Sequence, residues 1–171
     1  IGEGRLGDPA ELALLELAGE FGMEKGELLL RAPRVDERAF DSDRKRMTTV
    51  HTVQGRRTAY VKGAADEMID LCTGVWMYGK ETAFSARAKR AAKNAVESMA
   101  SQALRVLALA MKTKGNLTDE KDMIFLGLVG MIDPPREEAA WAVASFEKAH
   151  VDTVMITGDH VDTAFAIAKE L

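Results

Sequence analysis

The residues best suited to phosphate chemistry lie near the end of the 171-residue sequence, in Thr157-Gly158-Asp159. They follow residues 151–156, which favour a β-strand, and a helix-like segment comes after them. A hydroxyl, a glycine and a carboxylate between a strand and a helix are typical of sites that handle phosphate or its metal ion. The alternative is that Asp159 only caps the following helix.

An acidic pair, Asp41 and Asp43, has the Asp-x-Asp spacing that haloacid-dehalogenase-like (HAD) phosphatases use for a nucleophile and a general acid. In those enzymes the pair follows a hydrophobic strand, whereas here the charged residues Asp36-Glu37-Arg38 come shortly before it. We therefore predict a charged turn at this position, and keep a phosphatase that uses Asp41 and Asp43 as the alternative function.

Three further segments carry groups that can bind a nucleotide. Phe40 precedes the basic cluster Arg44-Lys45-Arg46, and an aromatic ring can stack on a base while a lysine takes phosphate charge. Lys62-Gly63-Ala64 joins a predicted strand to a helix, where glycine permits close approach and the helix N-terminus favours an anion. Arg105 is a single charge in an apolar strand. Taken singly, each also has a structural explanation: a core aromatic, a strand-end lysine, an outward-facing arginine.

Composition excludes several classes of protein. Hydrophobic residues make up 47% and the net charge is -4, which indicates a globular domain without general affinity for nucleic acid. Cys72 is the only cysteine and the three histidines are scattered, so we expect no internal disulfide, no metal-ligand spacing and a reducing compartment. The longest apolar run, residues 124–132, is too short to cross a bilayer, which predicts a soluble chain.

The elements that must position these residues form two groups. Helices are predicted over residues 8–21, 25–30, 64–72 and 85–102, and strands over 34–40, 46–53, 57–62, 104–112 and 123–132. The clearest hairpin turns at Gln54-Gly55. Asp133-Pro134-Pro135-Arg136 then predicts a stiff joint, followed by a helix over 137–149, a buried strand over 151–156 and a last helix.

In this order, six segments resemble successive motifs of the cytoplasmic part of P-type cation-transporting ATPases, most of all the calcium-pump branch. They are Gly7-Asp8-Pro9-Ala10-Glu11, residues 40–47, Lys62-Gly63-Ala64, residues 105–110, Asp133-Pro134-Pro135-Arg136 and residues 155–159. The resemblance covers nearly the whole chain. Ala10 replaces a threonine of the family, and Ser42 stands where some members carry an arginine, which would weaken a phosphate contact.

The resemblance implies an α/β (α+β) fold, in which an antiparallel sheet flanked by helices is followed by a partial Rossmann-like, HAD-like fragment. It divides the chain into a nucleotide-binding domain over residues 1–126, a hinge over 127–136, and a fragment of the phosphorylation domain over 137–171.

The resemblance also implies an ATP site. At its adenine end, Phe40 stacks on the base, Glu11 bonds the amino group, and Lys62 with Gly63 lines the pocket.

Further residues belong to the same implied site. Lys45 and Arg105 contact ribose or phosphates, and Met47 and Leu107 line the pocket. Thr157, Gly158 and Asp159 approach the terminal phosphate when the domains close.

The function implied is presentation of ATP to an aspartate of an Asp-Lys-Thr-Gly-Thr motif, a string that the 171 residues do not contain. The parent pump would use Mg²⁺, lie in a membrane with this domain on the cytoplasmic side, and supply phosphorylation, actuator and membrane domains as partners. Motif similarity favours calcium as the ion. The chain alone is expected to bind ATP without hydrolysing it. Besides the phosphatase, a domain that binds only protein remains an alternative.

Overall fold

The computed structural model describes residues 8–102, 104–132, 136–156 and 161–171. The helices are α1 (Pro9–Glu20), α2 (Lys25–Arg31), α3 (Ala65–Leu71), α4 (Ala86–Ala100), α5 (Glu137–Lys148) and α6 (Val161–Glu170). The strands are β1 (Arg34–Asp41), β2 (Arg46–Val53), β3 (Arg56–Ala64), β4 (Cys72–Met77), β5 (Lys80–Ala83), β6 (Arg105–Lys112) and β7 (Met123–Met131). None of the helices in these ranges has the length and hydrophobicity needed to span a bilayer.

The strands form one seven-stranded sheet in the order β1-β2-β3-β6-β7-β4-β5. Every neighbouring pair is antiparallel except β4 and β7, which run parallel. The predicted hairpin is β2–β3, and both turn residues, Gln54 and Gly55, have positive φ, at 49° and 75°. Two-residue turns of this kind match the twist of the strands they join. A sheet flanked by helices confirms the predicted fold class.

The core lies on one face of the sheet, beneath α3 and α4. Val61, Ala108 and Ala110 point into it from β3 and β6, where alternate side chains share a face. Met68 and Ile69 of α3 are completely buried against them. Phe84 and Phe125 stack with ring centroids 5.0 Å apart, which ties the start of α4 to β7.

The opposite face of the sheet is covered loosely. Helix α1 begins where the sequence predicts, because the Asp8 side chain accepts a hydrogen bond of 2.9 Å from the Ala10 amide and Pro9 occupies the first turn. Neither α1 nor α2 contains a buried residue. A cavity of about 750 Å³ separates these helices from His51 and Tyr60 of the sheet. This face therefore leaves room for a ligand.

Sequence reasoning missed the hairpin β4–β5, and it extended α3 one residue too far, to Cys72. The signal that could have found the hairpin is Tyr78-Gly79, whose φ angles are 52° and 76°, after the β-favouring residues Val75 and Trp76. What places β4 in the sheet is its parallel pairing with β7, some fifty residues later in the chain. A pairing over that separation leaves no local pattern in the sequence.

The predicted strand over residues 151–156 is wrong. All six residues are exposed and lack regular structure, and Ile156 is 93% exposed. A strand is held by hydrogen bonds to a neighbour, and no strand in the described part of the chain pairs with this segment. Of the predicted Rossmann-like fragment, only the helices α5 and α6 are present among the described residues.

The predicted boundary at residue 126 falls inside β7. Val129 still pairs with Leu107 and Met131 with Arg105, so residues 127–131 belong to the sheet. The stiff joint predicted at Asp133-Pro134-Pro135 lies outside the described residues, and Arg136 precedes α5 with extended backbone angles. The division into domains stays a prediction.

Candidate functional site

The predicted site residues that the structure describes meet at one cavity of about 440 Å³. Four separate parts of the chain contribute to it: the start of α1, the β1–β2 connection, the end of β3 and the start of β6. The predicted residues among its lining are Glu11, Phe40, Lys45, Met47, Lys62, Gly63, Arg105 and Leu107. Asp8, Ala10, Ala64 and Val106 complete the lining.

The floor of the cavity is the face of the sheet opposite the core. Lys62 pairs with Met47 on β2 and with Leu109 on β6, so these three side chains stand in one row across the sheet. Leu107, two residues before Leu109, lies on the same face. The methionine and leucine side chains give the cavity an apolar floor that suits a flat base.

Phe40 reaches the cavity because β1 contains a bulge. Arg38 pairs with Thr48 and Asp41 with Arg46, so β1 advances three residues while β2 passes two. Ala39 and Phe40 therefore both lie opposite Met47. A bulge redirects side chains, and Phe40 is left 64% exposed at the cavity. An exposed aromatic ring above an apolar floor can stack on a base.

Both lysines in the described lining of the cavity are paired with carboxylates. Lys62 Nζ donates to Glu11 Oε1, which links β3 to α1 across 51 positions of sequence. Lys45 Nζ lies 3.0 Å from Glu67 Oε1 of α3. A ligand that uses these lysines must share them with their carboxylates. The individual roles predicted for Glu11, Lys45 and Lys62 stay predictions.

The structure gives a steric reason for glycine at position 63 that the sequence did not show. A Cβ built on it would lie 2.5 Å from Arg46 Cβ and 2.7 Å from the Lys45 carbonyl oxygen. The next amide, that of Ala64, donates to the same Lys45 oxygen at 3.0 Å. The interpretation of Gly63 as a point of ligand approach stays a prediction, but the neighbouring strand alone already requires glycine.

Arg105 is exposed at the start of β6 and lines the cavity. A buried arginine would need an anionic partner, but Arg105 is exposed and does not. None of the ion pairs between described residues includes it. Its guanidinium is thus available to an anion at this end of the cavity.

Sequence reasoning missed Glu120, a buried carboxylate in the loop between β6 and β7. Its Oε2 accepts from Arg46 Nε at 2.7 Å, and its Oε1 accepts from Arg44 Nη1 at 2.5 Å and from Thr48 Oγ1 at 2.7 Å. Arg38 Nη1 lies 3.4 Å from Oε2. The only hint in the sequence is the excess of arginines between residues 38 and 46, since nothing local marks Glu120 as their partner.

The surroundings of Glu120 lower its pKa. Burial by itself would raise the pKa, but the hydrogen bonds from Thr48, Arg44 and Arg46 outweigh that effect. The group is therefore charged in the folded protein down to lower pH than in the unfolded chain.

Acid should remove this contribution to stability. Because the folded pKa lies below the ordinary value of 4.5, the stabilisation is complete above pH 4.5 and is lost as pH falls through the folded pKa. We expect the difference in free energy of unfolding between wild type and Glu120→Gln, measured by urea denaturation, to shrink between pH 5 and pH 3. A difference that stays constant over that interval would contradict this account.

Asp41 and Asp43 lie where the turn was predicted. Asp41 Oδ1 accepts from the amides of Arg44, at 2.9 Å, and Asp43, at 3.0 Å. The Arg44 amide is the main cause that lowers the pKa of Asp41. Both residues are exposed, and the carboxylate of Asp41 serves its own backbone turn. The geometry therefore favours a turn over the buried nucleophile that a phosphatase of this type requires.

Thr157, Gly158 and Asp159 lie outside the described residues, so their role with phosphate stays a prediction. Within the described ranges, no group of three or more His, Cys, Asp or Glu side chains could hold a metal ion.

Comparisons with known proteins show the family to which the chain belongs. The family model "P-type ATPase, cytoplasmic domain N" matches residues 2–138. The chain is 44% identical over 174 residues to calcium-transporting ATPase 1 of Bacillus cereus, covering 99% of this chain and 20% of that protein. It is 42% identical to calcium-transporting ATPase 1 of Lactococcus lactis, covering 97% of this chain and 20% of that protein. It is 41% identical to cation-transporting ATPase pma1 of Synechocystis, covering 97% of this chain and 19% of that protein. The chain thus spans about a fifth of the length of these relatives.

Proposed function

Since the chain belongs to the family of P-type ATPase cytoplasmic N domains, we propose that it binds ATP in the cavity beside Phe40 and presents it to an aspartate outside these 171 residues. The observation that carries the proposal is that the predicted site residues lie together. Residues that were singled out from four separate segments line one cavity, and its volume of about 440 Å³ falls in the range of ligand pockets.

The cavity offers different chemistry at its two ends. The ring of Phe40 and the apolar side chains of Met47 and Leu107 can hold the adenine between them. Glu11, which pairs with Lys62, supplies an acceptor for the adenine amino group. Lys45 and Arg105 carry positive charge toward ribose and phosphates.

In the parent protein, the γ-phosphate would pass from ATP to the aspartate, forming an aspartyl phosphate and releasing ADP. Closure of the domains would bring the two sites together. The described residues of the cavity include no suitable cluster of ligands for the Mg²⁺ expected in the parent protein, so we assign that ion no step here.

The remaining features of the parent follow from its relatives. The Bacillus cereus and Lactococcus lactis proteins are named calcium-transporting ATPases, so we propose calcium as the ion moved. As part of such a pump, this domain would act on the cytoplasmic side of a membrane, together with phosphorylation, actuator and membrane domains.

Titration of the chain with ATP, ADP and AMP tests the proposal. Stacking contributes about 1–3 kcal/mol, and an exposed ion pair about 1 kcal/mol or less. After the cost of immobilising the ligand, we expect dissociation constants in the roughly high-micromolar to millimolar range. The three nucleotides should differ little, because most of the affinity comes from the adenine end. Chemical-shift changes in NMR spectra or calorimetry provide the measurement.

Three results would count against this function. Tight, magnesium-dependent binding of ATP would mean that the phosphates, rather than the adenine, are the main contact. Steady release of phosphate that disappears in Asp41→Asn would favour the phosphatase alternative. No change of the spectrum with any nucleotide at millimolar concentration would leave a protein-binding domain as the better interpretation.

A further inference from the structure

We propose that Glu120 is a positioning residue for the nucleotide site, whose buried carboxylate holds the bulge that carries Phe40 and the turn that carries Lys45. The inference rests on the proposed function, because it concerns how that site is kept in shape. Glu120 and its three arginine partners are not among the residues that line the cavity. Any effect of Glu120 on nucleotide binding must therefore act through other residues.

The first link runs from Glu120 to the bulge. Arg44 donates through Nη1 to Glu120 and through Nη2 to the carbonyl oxygen of Ala39, at 2.8 Å. Ala39 is the bulge residue immediately before Phe40. On the other side of the bulge, Arg38 forms an ion pair with Glu120 and donates to the Thr118 carbonyl oxygen at 3.2 Å. The carboxylate thus ties both sides of the bulge to the β6–β7 loop.

The second link runs from Glu120 to Lys45. This lysine lies between two arginines that both bind the same carboxylate. Its backbone has φ of 51°, in the left-handed region that non-glycine residues rarely adopt. Arg46 Nη1 also donates to the Arg44 carbonyl oxygen at 2.8 Å, which closes the turn around Lys45. The surrounding hydrogen bonds, rather than the intrinsic preference of lysine, hold this conformation.

Burial makes the ion pairs of Glu120 with Arg44 and Arg46 costly to break. The Glu120 side chain is 0% exposed, and the side chains of Arg44 and Arg46 are 17% and 16% exposed. Removing one partner of such a cluster leaves buried cations without compensation, so the arginines must move toward solvent. Movement of Arg44 releases the Ala39 carbonyl, and movement of Arg46 releases the turn. Phe40 and Lys45 would then lose the geometry that the cavity needs.

The test compares three variants. Glu120→Gln removes the charge and nearly preserves the volume. Asp119→Asn is the matched control, because it changes the adjacent carboxylate, which accepts from Lys112 Nζ and the Lys121 amide and from none of the three arginines that bind Glu120. Arg44→Lys weakens the same link from the other side and loses the donor to Ala39, so it keeps the test decisive if Glu120→Gln does not fold.

Two measurements separate positioning from general destabilisation. The first is the dissociation constant for AMP and ATP by NMR titration, which we expect to rise about threefold to tenfold in Glu120→Gln and Arg44→Lys but not in Asp119→Asn. The second is hydrogen exchange of individual amides. The Lys45 amide donates to the Asp41 carbonyl oxygen at 2.7 Å. This amide and the Ala64 amide should exchange faster in Glu120→Gln and in Arg44→Lys. The Phe84 amide, bonded to Thr73 at 2.8 Å, is the reference.

The outcomes distinguish the positioning role of Glu120 from the proposed function. Weaker binding together with selective exchange at Lys45 and Ala64 supports the positioning role. Unchanged affinity in folded Glu120→Gln and Arg44→Lys, with wild type still binding, overturns this inference and leaves the proposed function intact. Equal acceleration of all three amides would show general destabilisation and also overturns it. Absence of binding by wild type would overturn the proposed function, and the inference with it.

Discussion

Replacing Phe40 by alanine should weaken binding of ATP, ADP and AMP to the same extent. Stacking of a base on an aromatic ring is worth about 1–3 kcal/mol, which corresponds to roughly a fivefold to 150-fold loss of affinity. The side chain is 64% exposed and contributes little to the core, so the variant should remain folded. NMR titration with each nucleotide, at concentrations up to several millimolar, measures the effect.

Phe21→Ala is the matched control. Phe21 is also an exposed phenylalanine, 73% exposed at the end of α1, but it is not part of the cavity. Its replacement should leave all three dissociation constants unchanged. If Phe40→Ala weakened ATP much more than AMP, the ring would be acting at the phosphate end, and the proposed orientation of the nucleotide would be wrong.

Replacing Gly63 by alanine should destabilise the domain and disturb the cavity together. The added methyl group would lie 2.5 Å from Arg46 Cβ and 2.7 Å from the Lys45 carbonyl oxygen. Neither neighbour is the end of a flexible side chain, so β2 and β3 must separate at this point. Overpacking of this kind costs about 1–3 kcal/mol of unfolding free energy. Urea denaturation measures that cost, and nucleotide affinity should fall as the turn that carries Lys45 shifts.

Gly26→Ala provides the comparison. Gly26 lies in helix α2, and a Cβ there meets nothing within 4 Å. Alanine at such a position should be neutral or stabilise by up to about 1 kcal/mol, since it has the higher helix propensity. Gly63→Ala with wild-type stability would show that the two strands can spread at no cost, and the strand contact would no longer explain the glycine.

The ion pairs at the cavity bear on how a nucleotide enters. Lys62 is paired with Glu11, and Lys45 with Glu67. Each lysine thus gives up part of an existing interaction when it turns to a phosphate or a base, which offsets some of the new contact. This exchange gives a physical reason for the weak affinity proposed for the domain.

The position of the cavity in the fold also has a physical basis. Core packing lies on the α3/α4 face of the sheet, whereas α1 and α2 bury no residue on the other face. Side chains on that face, such as Tyr60 and Lys62, remain accessible even though β3 is a central strand. The sheet can therefore hold its core on one side and a ligand site on the other.

Elements marked by short-range signals could be predicted from the sequence alone. The N-cap at Asp8 and the hairpin turn at Gln54-Gly55 depend on residues within a few positions of one another. The residues of the candidate site could be named because each of its motifs is a short segment. In the structure these segments line one cavity, and the site with the role of each residue stays a prediction.

Features that depend on distant partners were decided only by the tertiary structure. β4 is a strand because β7 pairs with it. Residues 151–156 have a similar composition, but they do not form a strand because no described strand pairs with them. Glu120 finds its arginines more than seventy positions earlier, and Gly63 is required by Lys45 and Arg46 where β2 begins. Strand pairing and buried charge compensation are contacts between elements, and the residues on one side carry no local mark of the other.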